Sequence, residues 1–348
     1  MKKQLIAAAV AASMSAVAMA DISITGDAKF EYDNTDTAGT SSNSTATEYH
    51  LNVTGKSGDT TVVMKFELDG DGAGSMDLED NYISTKVGDI SVTAGNMASG
   101  TGGLLGEIDN GSRERKATLG YKMGNIDVYA GSTAGAAANV DGNQTINNNM
   151  YAGVKFNVAG NAIELKKNSD TKDSFGIKGS VSGINYRYEA KDEDSTGDAS
   201  YVAVDTTVAG MTVGYAVLDA DAASQLTEDD SSEFAVSIGG KQTAGAAASN
   251  WYNAASAASG TSNQTATGQK QFRIGTTVDG TSITLKSGTI EKGLGASTDL
   301  DYSQIQAVRK LSSGATMVVT YNDRDYVASS GGTVSSEENV EVELNVKF

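Results

Sequence analysis

The chain contains no cysteine and no proline, and only one tryptophan and one histidine among its 348 residues. Without cysteine no disulfide can staple it, so its stability has to come from an extensive hydrogen-bonded fold. Proline lacks the donor that a sheet ladder needs, and its absence suits a chain that is mostly paired strand. One histidine and no cysteine leave transition-metal and triad chemistry little to work with, and nothing near His50 forms a nucleophile–base pair. His50 therefore reads as a polar wall residue. A formal charge of −18 excludes a basic nucleic-acid surface.

Also missing is any apolar run of helical spanning length after the first twenty residues. Met1-Lys2-Lys3-Gln4 is a basic head, Leu5 to Val17 an Ala-rich apolar run, and Ala18-Met19-Ala20 a small-x-small cleavage site. Residues 1–20 are thus expected to be a signal peptide, too short for a spanning helix. Its removal takes the formal charge from −18 to −20. If the remaining chain enters a membrane, it must do so as a closed barrel.

What is present is alternation. Val340, Val342, Leu344, Val346 and Phe348 interleave with Glu341, Glu343, Asn345 and Lys347. Side chains of a strand point to opposite faces with period two, so one face is apolar and the other charged. Ile22 to Tyr32 repeats the pattern, as do segments through Val62–Leu68, Ala152–Val158, Phe175–Val181, Val202–Val208, Val213–Val217, Phe272–Val278 and Met317–Tyr321. Glycine with Asn, Asp or Ser recurs between segments at Gly58-Asp59, Gly88-Asp89, Gly124-Asn125, Gly160-Asn161, Gly183, Gly210, Asp279-Gly280 and Gly314, which is hairpin-turn chemistry. Longer polar stretches alternate with these turns. The fold class expected is all-β: a transmembrane antiparallel up-and-down barrel of 16–20 strands, with short periplasmic turns and long extracellular loops, over residues 21–348. Two places fit poorly: Gln304 to Arg309, and the Ala/Ser/Asn-rich stretch Thr243 to Thr267, which reads either as weak strand plus loop or as one insertion.

The polar face carries Lys29, Lys65, Lys178, Arg187, Arg273 and Lys286 together with Asp27, Glu31, Glu67, Glu164, Glu341 and Glu343. A charge facing lipid costs roughly 2–4 kcal/mol at the midplane, and an unpaired buried one is no cheaper. These positions therefore line water. Acids concentrate in stretches read as loops: Asp69 to Asp80, Asp192-Glu193-Asp194, Asp219 to Asp230 and Glu337-Glu338. The first has calcium-loop composition, but its spacing fails the EF-hand register. No cofactor is expected beyond a loosely held divalent cation there. Gly26, Ala28 and Gly179 on the apolar face are candidates for a subunit contact.

The stretch from Asn96 to Lys116 is Gly-rich and carries Leu104-Leu105, Glu107, Asp109, Arg113, Glu114 and Arg115. With the signal peptide, the hairpin series, this third long loop and terminal Phe348, the chain resembles the general-diffusion porins of Gram-negative outer membranes. That resemblance implies a third loop folded into the barrel, acids on it facing basic residues on the wall, a homotrimer, and a terminal aromatic read by the barrel-assembly machinery. Glu107 and Asp109 would form the acidic side of the narrowing; Arg113, Arg115, Lys29 and Lys65 would supply the basic side. The family usually has about sixteen strands. The function expected is passive diffusion of small hydrophilic solutes across the outer membrane, in lipid and without nucleic acid, with a weak cation preference. A substrate-selective channel is the alternative. It calls for an aromatic slide, for which Tyr82, Tyr129, Tyr151 and Tyr201 are the inward candidates. A secreted β-rich adhesin and an outer-membrane hydrolase fit less well.

Overall fold

The computed structural model describes residues 21–69, 76–99, 104–105, 111–134, 149–168, 172–193, 198–220, 226–227, 265–292, 298–328 and 333–348. Residues 1–20, expected to be a signal peptide, Glu107, Asp109 and residues 243–264 lie outside that set. The chain order is β1 (Asp21–Thr37), β2 (Thr40–Ser57), β3 (Thr60–Asp69), β4 (Met76–Val87), β5 (Ile90–Ser99), β6 (Gly111–Met123), β7 (Ile126–Ala134), β8 (Asn149–Val158), β9 (Asn161–Asn168) and β10 (Lys172–Val181). It continues with β11 (Ile184–Glu193), β12 (Ala199–Val208), β13 (Met211–Ala220), β14 (Leu226–Thr227), β15 (Thr265–Val278), β16 (Thr281–Lys292), β17 (Thr298–Lys310), β18 (Thr316–Ala328) and β19 (Thr333–Lys347).

Consecutive strands pair antiparallel in a single sheet, and β19 pairs with β1 from Glu337 opposite Thr37 to Lys347 opposite Asp27. The sheet therefore closes on itself. β14 is a two-residue bridge onto β15, and β13 pairs directly with β15, so the barrel has eighteen staves. Closure leaves no unpaired edge, which is the condition for a sheet to cross hydrocarbon. At the seam, Gly26 and Phe348 exchange two backbone hydrogen bonds of 2.9 Å. A Cβ on Gly26 would meet the Phe348 ring at 2.7 Å and the His50 carbonyl oxygen at 2.5 Å. Gly26, expected to mark a subunit contact, is instead covered by this chain's own Phe348.

Eight tight connections share one rim with Asp21 and Phe348. At Ala159-Gly160, Ser182-Gly183, Ala209-Gly210 and Asp279-Gly280 both turn residues have positive φ, the type I′ geometry that matches strand twist. The first connection of the opposite rim is also tight: Ala38 and Gly39 turn with φ of 53° and 82°. The polar loop expected over Asp33 to Ala46 is thus a continuous two-stranded extension of β1 and β2, in which Ser, Thr and Asn side chains form the outer rungs. Several acidic stretches read as loops are also strand: Asp77 to Asp80 begin β4, Asp192-Glu193 end β11, and Glu337-Glu338 lie in β19. Polarity is a poor guide here because strands that rise past an apolar belt have no apolar face to show.

Within the belt the alternation holds. Ile24, Phe30, Ile83, Leu119, Val202, Tyr215, Phe272, Ile305 and Leu344 are exposed on the outer face. Exposed aliphatic and aromatic side chains over a whole barrel make a surface for lipid. Gln304 to Arg309, which alternates poorly, is β17 all the same. Its inward residues Tyr302, Gln304 and Gln306 are buried and uncharged, so the contrast between faces is weak there.

Candidate functional site

The site is the inner wall, and the third connection reaches it. Leu104 and Leu105, between β5 and β6, are buried at 8% and 3% exposure. Leu105 packs in one cluster with the inward residues Tyr201, Ala203, Ala216 and Leu218 of β12 and β13. Gly176 of β10 supplies the space: a Cβ there would stand 2.9 Å from both leucine side chains. The Arg187 guanidinium donates to the Leu104 carbonyl at 3.3 Å. Six staves lie between β5 and β12, so this pair sits across the lumen from where its connection starts. Small residues at 176, 203 and 216 form the socket that receives it.

The residues expected around it are spread more widely. Lys29 faces inward but is bound by Glu48 at 2.5 Å and Glu31 at 3.4 Å. Lys65 is held by Asp80 at 2.9 Å. Both cations are already neutralised on their own wall. Arg113 and Arg115 belong to β6 rather than to a loop, and Arg115 is exposed on the face shared with Leu119 and Tyr121.

Among the described inward cations without an ion pair are Lys178 on β10, opposite Arg187, and Arg273 on β15 with Lys286 on β16, which stand directly opposite each other. No ion pair joins either of them among the described residues, and the Arg273 Nε atom is buried without a hydrogen-bond partner. Gly214 opposes Arg273 on the other side, leaving room beside it, and Ala216 of the leucine socket opposes Gln271, two residues away. The basic pair therefore lies one row from the docked loop. Alternation alone places both residues inward, and their pairing is also legible, because a two-residue turn at Asp279-Gly280 sets 273 against 286. The same rule at Ala38-Gly39 sets Lys29 against Glu48, but composition hides that turn in the middle of an expected loop.

Aromatic side chains face inward on β7 and β8, where the Tyr129 and Tyr151 rings lie 6.2 Å apart. Lys155 and Lys166 sit over them, 5.3 and 5.5 Å from the respective centroids. Tyr129 donates to Glu164 at 2.6 Å. On β17 to β19 the inner face is a packed polar row: Gln304 donates to Asn322 at 2.9 Å, Asn322 to Asn339 at 3.0 Å, and Asn339 to Asp33 at 2.5 Å. Arg324 is buried against Glu337 at 2.5 Å in the next row. Hydrogen bonding of this extent makes that wall rigid. The inner wall as a whole is thus divided: acids dominate β19 and β1 to β4, and unneutralised cations stand on β10, β15 and β16.

Among the solved structures that the chain matches are three Pseudomonas aeruginosa proteins, aligned over nearly their whole length. OpdQ aligns with a TM-score of 0.63 at 8% identity, covering 94% of this chain and 99% of that one. OccK2 (OpdF), solved in complex with glucuronate, gives 0.61 at 10% identity over 94% and 98%. OccK11 (OpdR) gives 0.60 at 10% identity over 94% and 96%. The chain has an outer-membrane porin fold. At such identities the likeness establishes fold alone, and the eighteen staves differ from the sixteen usual in general-diffusion porins. No protein-family model and no curated sequence matches. The closed ladder and its apolar belt fit a bacterial outer membrane.

Proposed function

We propose that the protein is a substrate-selective outer-membrane channel through which small hydrophilic solutes bearing a carboxylate diffuse passively. The observation that carries this reading is the Arg273–Lys286 pair: two inward cations, opposite each other and without ionic partners among the described residues, beside the docked third connection. A guanidinium presents a donor fork to a carboxylate, and an ammonium adds a point charge. Tyr129 and Tyr151 add an inward aromatic pair with Lys155 and Lys166 over the rings, two further cations on the inner wall. Glucuronate, the ligand with which OccK2 (OpdF) was solved, is such a carboxylate. Small ions see the remaining wall, where acids prevail, and a weak preference for cations follows. General diffusion, the broader reading, would need no such unpaired cations. A homotrimer, and recognition of Phe348 by the assembly machinery, are part of the proposal and rest on the resemblance alone.

The test is single-channel recording of the purified protein in planar bilayers. Sodium glucuronate at millimolar concentration should interrupt the current, glucose should not, and the double substitution Arg273→Gln with Lys286→Gln should abolish the interruption while leaving the open-channel conductance within about twofold. Equal effects of glucuronate and glucose would return the protein to general diffusion. No conductance at all would end the channel reading.

A further inference from the structure

On the acidic wall, β1, β2 and β3 assemble a set of side chains that ion permeation does not require. His50 of β2 stands directly between Asp27 of β1 and Glu67 of β3 in the cross-strand register, and Glu48 lies two residues along on the same face. Donor atoms of Glu48, His50 and Glu67 all fall within 4.8 Å of one another. The Nδ1 atom of His50 is 3.0 Å from Asp27 Oδ2, while its Nε2 atom lies 2.8 Å from Glu48 Oε1. The other carboxylate oxygen of Glu48 is held by Lys29 at 2.5 Å.

This is a graded arrangement rather than a heap of acids. Nδ1–H donates to Asp27, the outer-shell support that metal-ligating histidines receive, and Nε2 faces Glu48, where a bound ion would take the place of the bridging proton. Lys29 orients Glu48 in the same way. The alternative is a protonated imidazole clamped between Asp27 and Glu48, with Glu67 hydrogen-bonded to Glu79; zinc titration separates the two. The backbone spacing is set by ladder hydrogen bonds on a closed barrel, so the ligands are pre-positioned. Ligands bound at about 2.0–2.1 Å around a tetrahedral ion stand about 3.3 Å apart, so the Nε2 and Oε1 atoms need open by only about half an ångström.

We infer that Glu48, His50 and Glu67 form a lumenal site for a divalent transition-metal ion, with Asp27 and Lys29 as positioning residues. One imidazole and two carboxylates suit zinc and its first-row neighbours rather than magnesium or calcium, which take oxygen alone. Three protein ligands leave the lumen side open for water. A single histidine in the sequence signals too few donors for such chemistry, and only two hairpin registers read together bring Asp27 and Glu67 beside it. Occupancy would add two positive charges to the acidic wall and reduce its preference for small cations.

Isothermal titration of the detergent-solubilised full-length barrel with zinc chloride is the test, and it needs no conduction. The expected result is one saturable site per chain, not displaced by excess magnesium. Glu67→Gln and His50→Gln should each weaken it at least tenfold, and Asp27→Asn about 10- to 100-fold, the range typical for loss of a supporting partner. Heat-modifiable migration of each variant on gels establishes that it is folded. Absence of saturable binding up to millimolar zinc, or equal binding by folded His50→Gln, overturns the site. Binding by a protein that never conducts would leave the site standing and remove the channel reading instead.

Discussion

Replacing Val342 by arginine tests the two-sided wall where its consequence can be worked out. Val342 lies on β19, six residues before Phe348, on the outer face with Val340 and Leu344. Strands rise about 3.4 Å per residue and cross tilted by about 45°, so six residues climb about 14 Å from the short-turn rim. An apolar belt is about 25 Å tall, and Val342 therefore stands near its middle, where an arginine costs roughly 2–4 kcal/mol. That is about 30-fold to about 700-fold in the folding equilibrium. Its neighbour Glu343 points the other way, is 2% exposed, and lies in register with Glu31 and beside Glu341. Glu343→Gln removes one of several close like charges and should leave stability equal or slightly raised. Urea unfolding of both variants in phospholipid vesicles, read by heat-modifiable migration, separates the two faces. An arginine at 342 that unfolds at the wild-type urea concentration, or equal losses for both substitutions, would refute the assignment of faces.

Two other expectations concern the seam and the docked loop. Gly26→Ala places a methyl group against a backbone carbonyl that cannot yield, and should cost about 1–3 kcal/mol. Adding Phe348→Ala should recover only part of that loss; a Gly26→Ala barrel that melts with the wild type would show that the seam does not close as described. Leu105→Ala removes a side chain from a socket where it is 3% exposed, at about 2–5 kcal/mol, enough to free the third connection from the wall. Single-channel conductance should then rise, and unchanged conductance would mean that this contact does not narrow the lumen.

Period-two patterning is a local property, so the amino-acid sequence alone determined the strands of the belt, their faces, and the barrel class. Val342 outward and Glu343 inward follow from adjacency and the pleat. Turn chemistry carries more than the strand pattern does: Asp279-Gly280 and Ala38-Gly39 each fix which residues oppose one another across a hairpin. Polar strands above the belt escape such reading, because a rung of Ser against Thr carries no contrast between faces. What the tertiary structure alone decided are relations between strands that are not joined by a turn. Leu104-Leu105 finds its socket on β10 to β13 only because the barrel is closed and brings the far wall within reach. By contrast, the two-residue turns at Ala38-Gly39 and Gly58-Asp59 already set His50 against Asp27 and Glu67, and Lys29 against Glu48, while Lys65 loses its availability to Asp80 on β4. Charge on a strand is read from its own sequence; whether that charge is free depends on register across the sheet, which is set by the whole ladder.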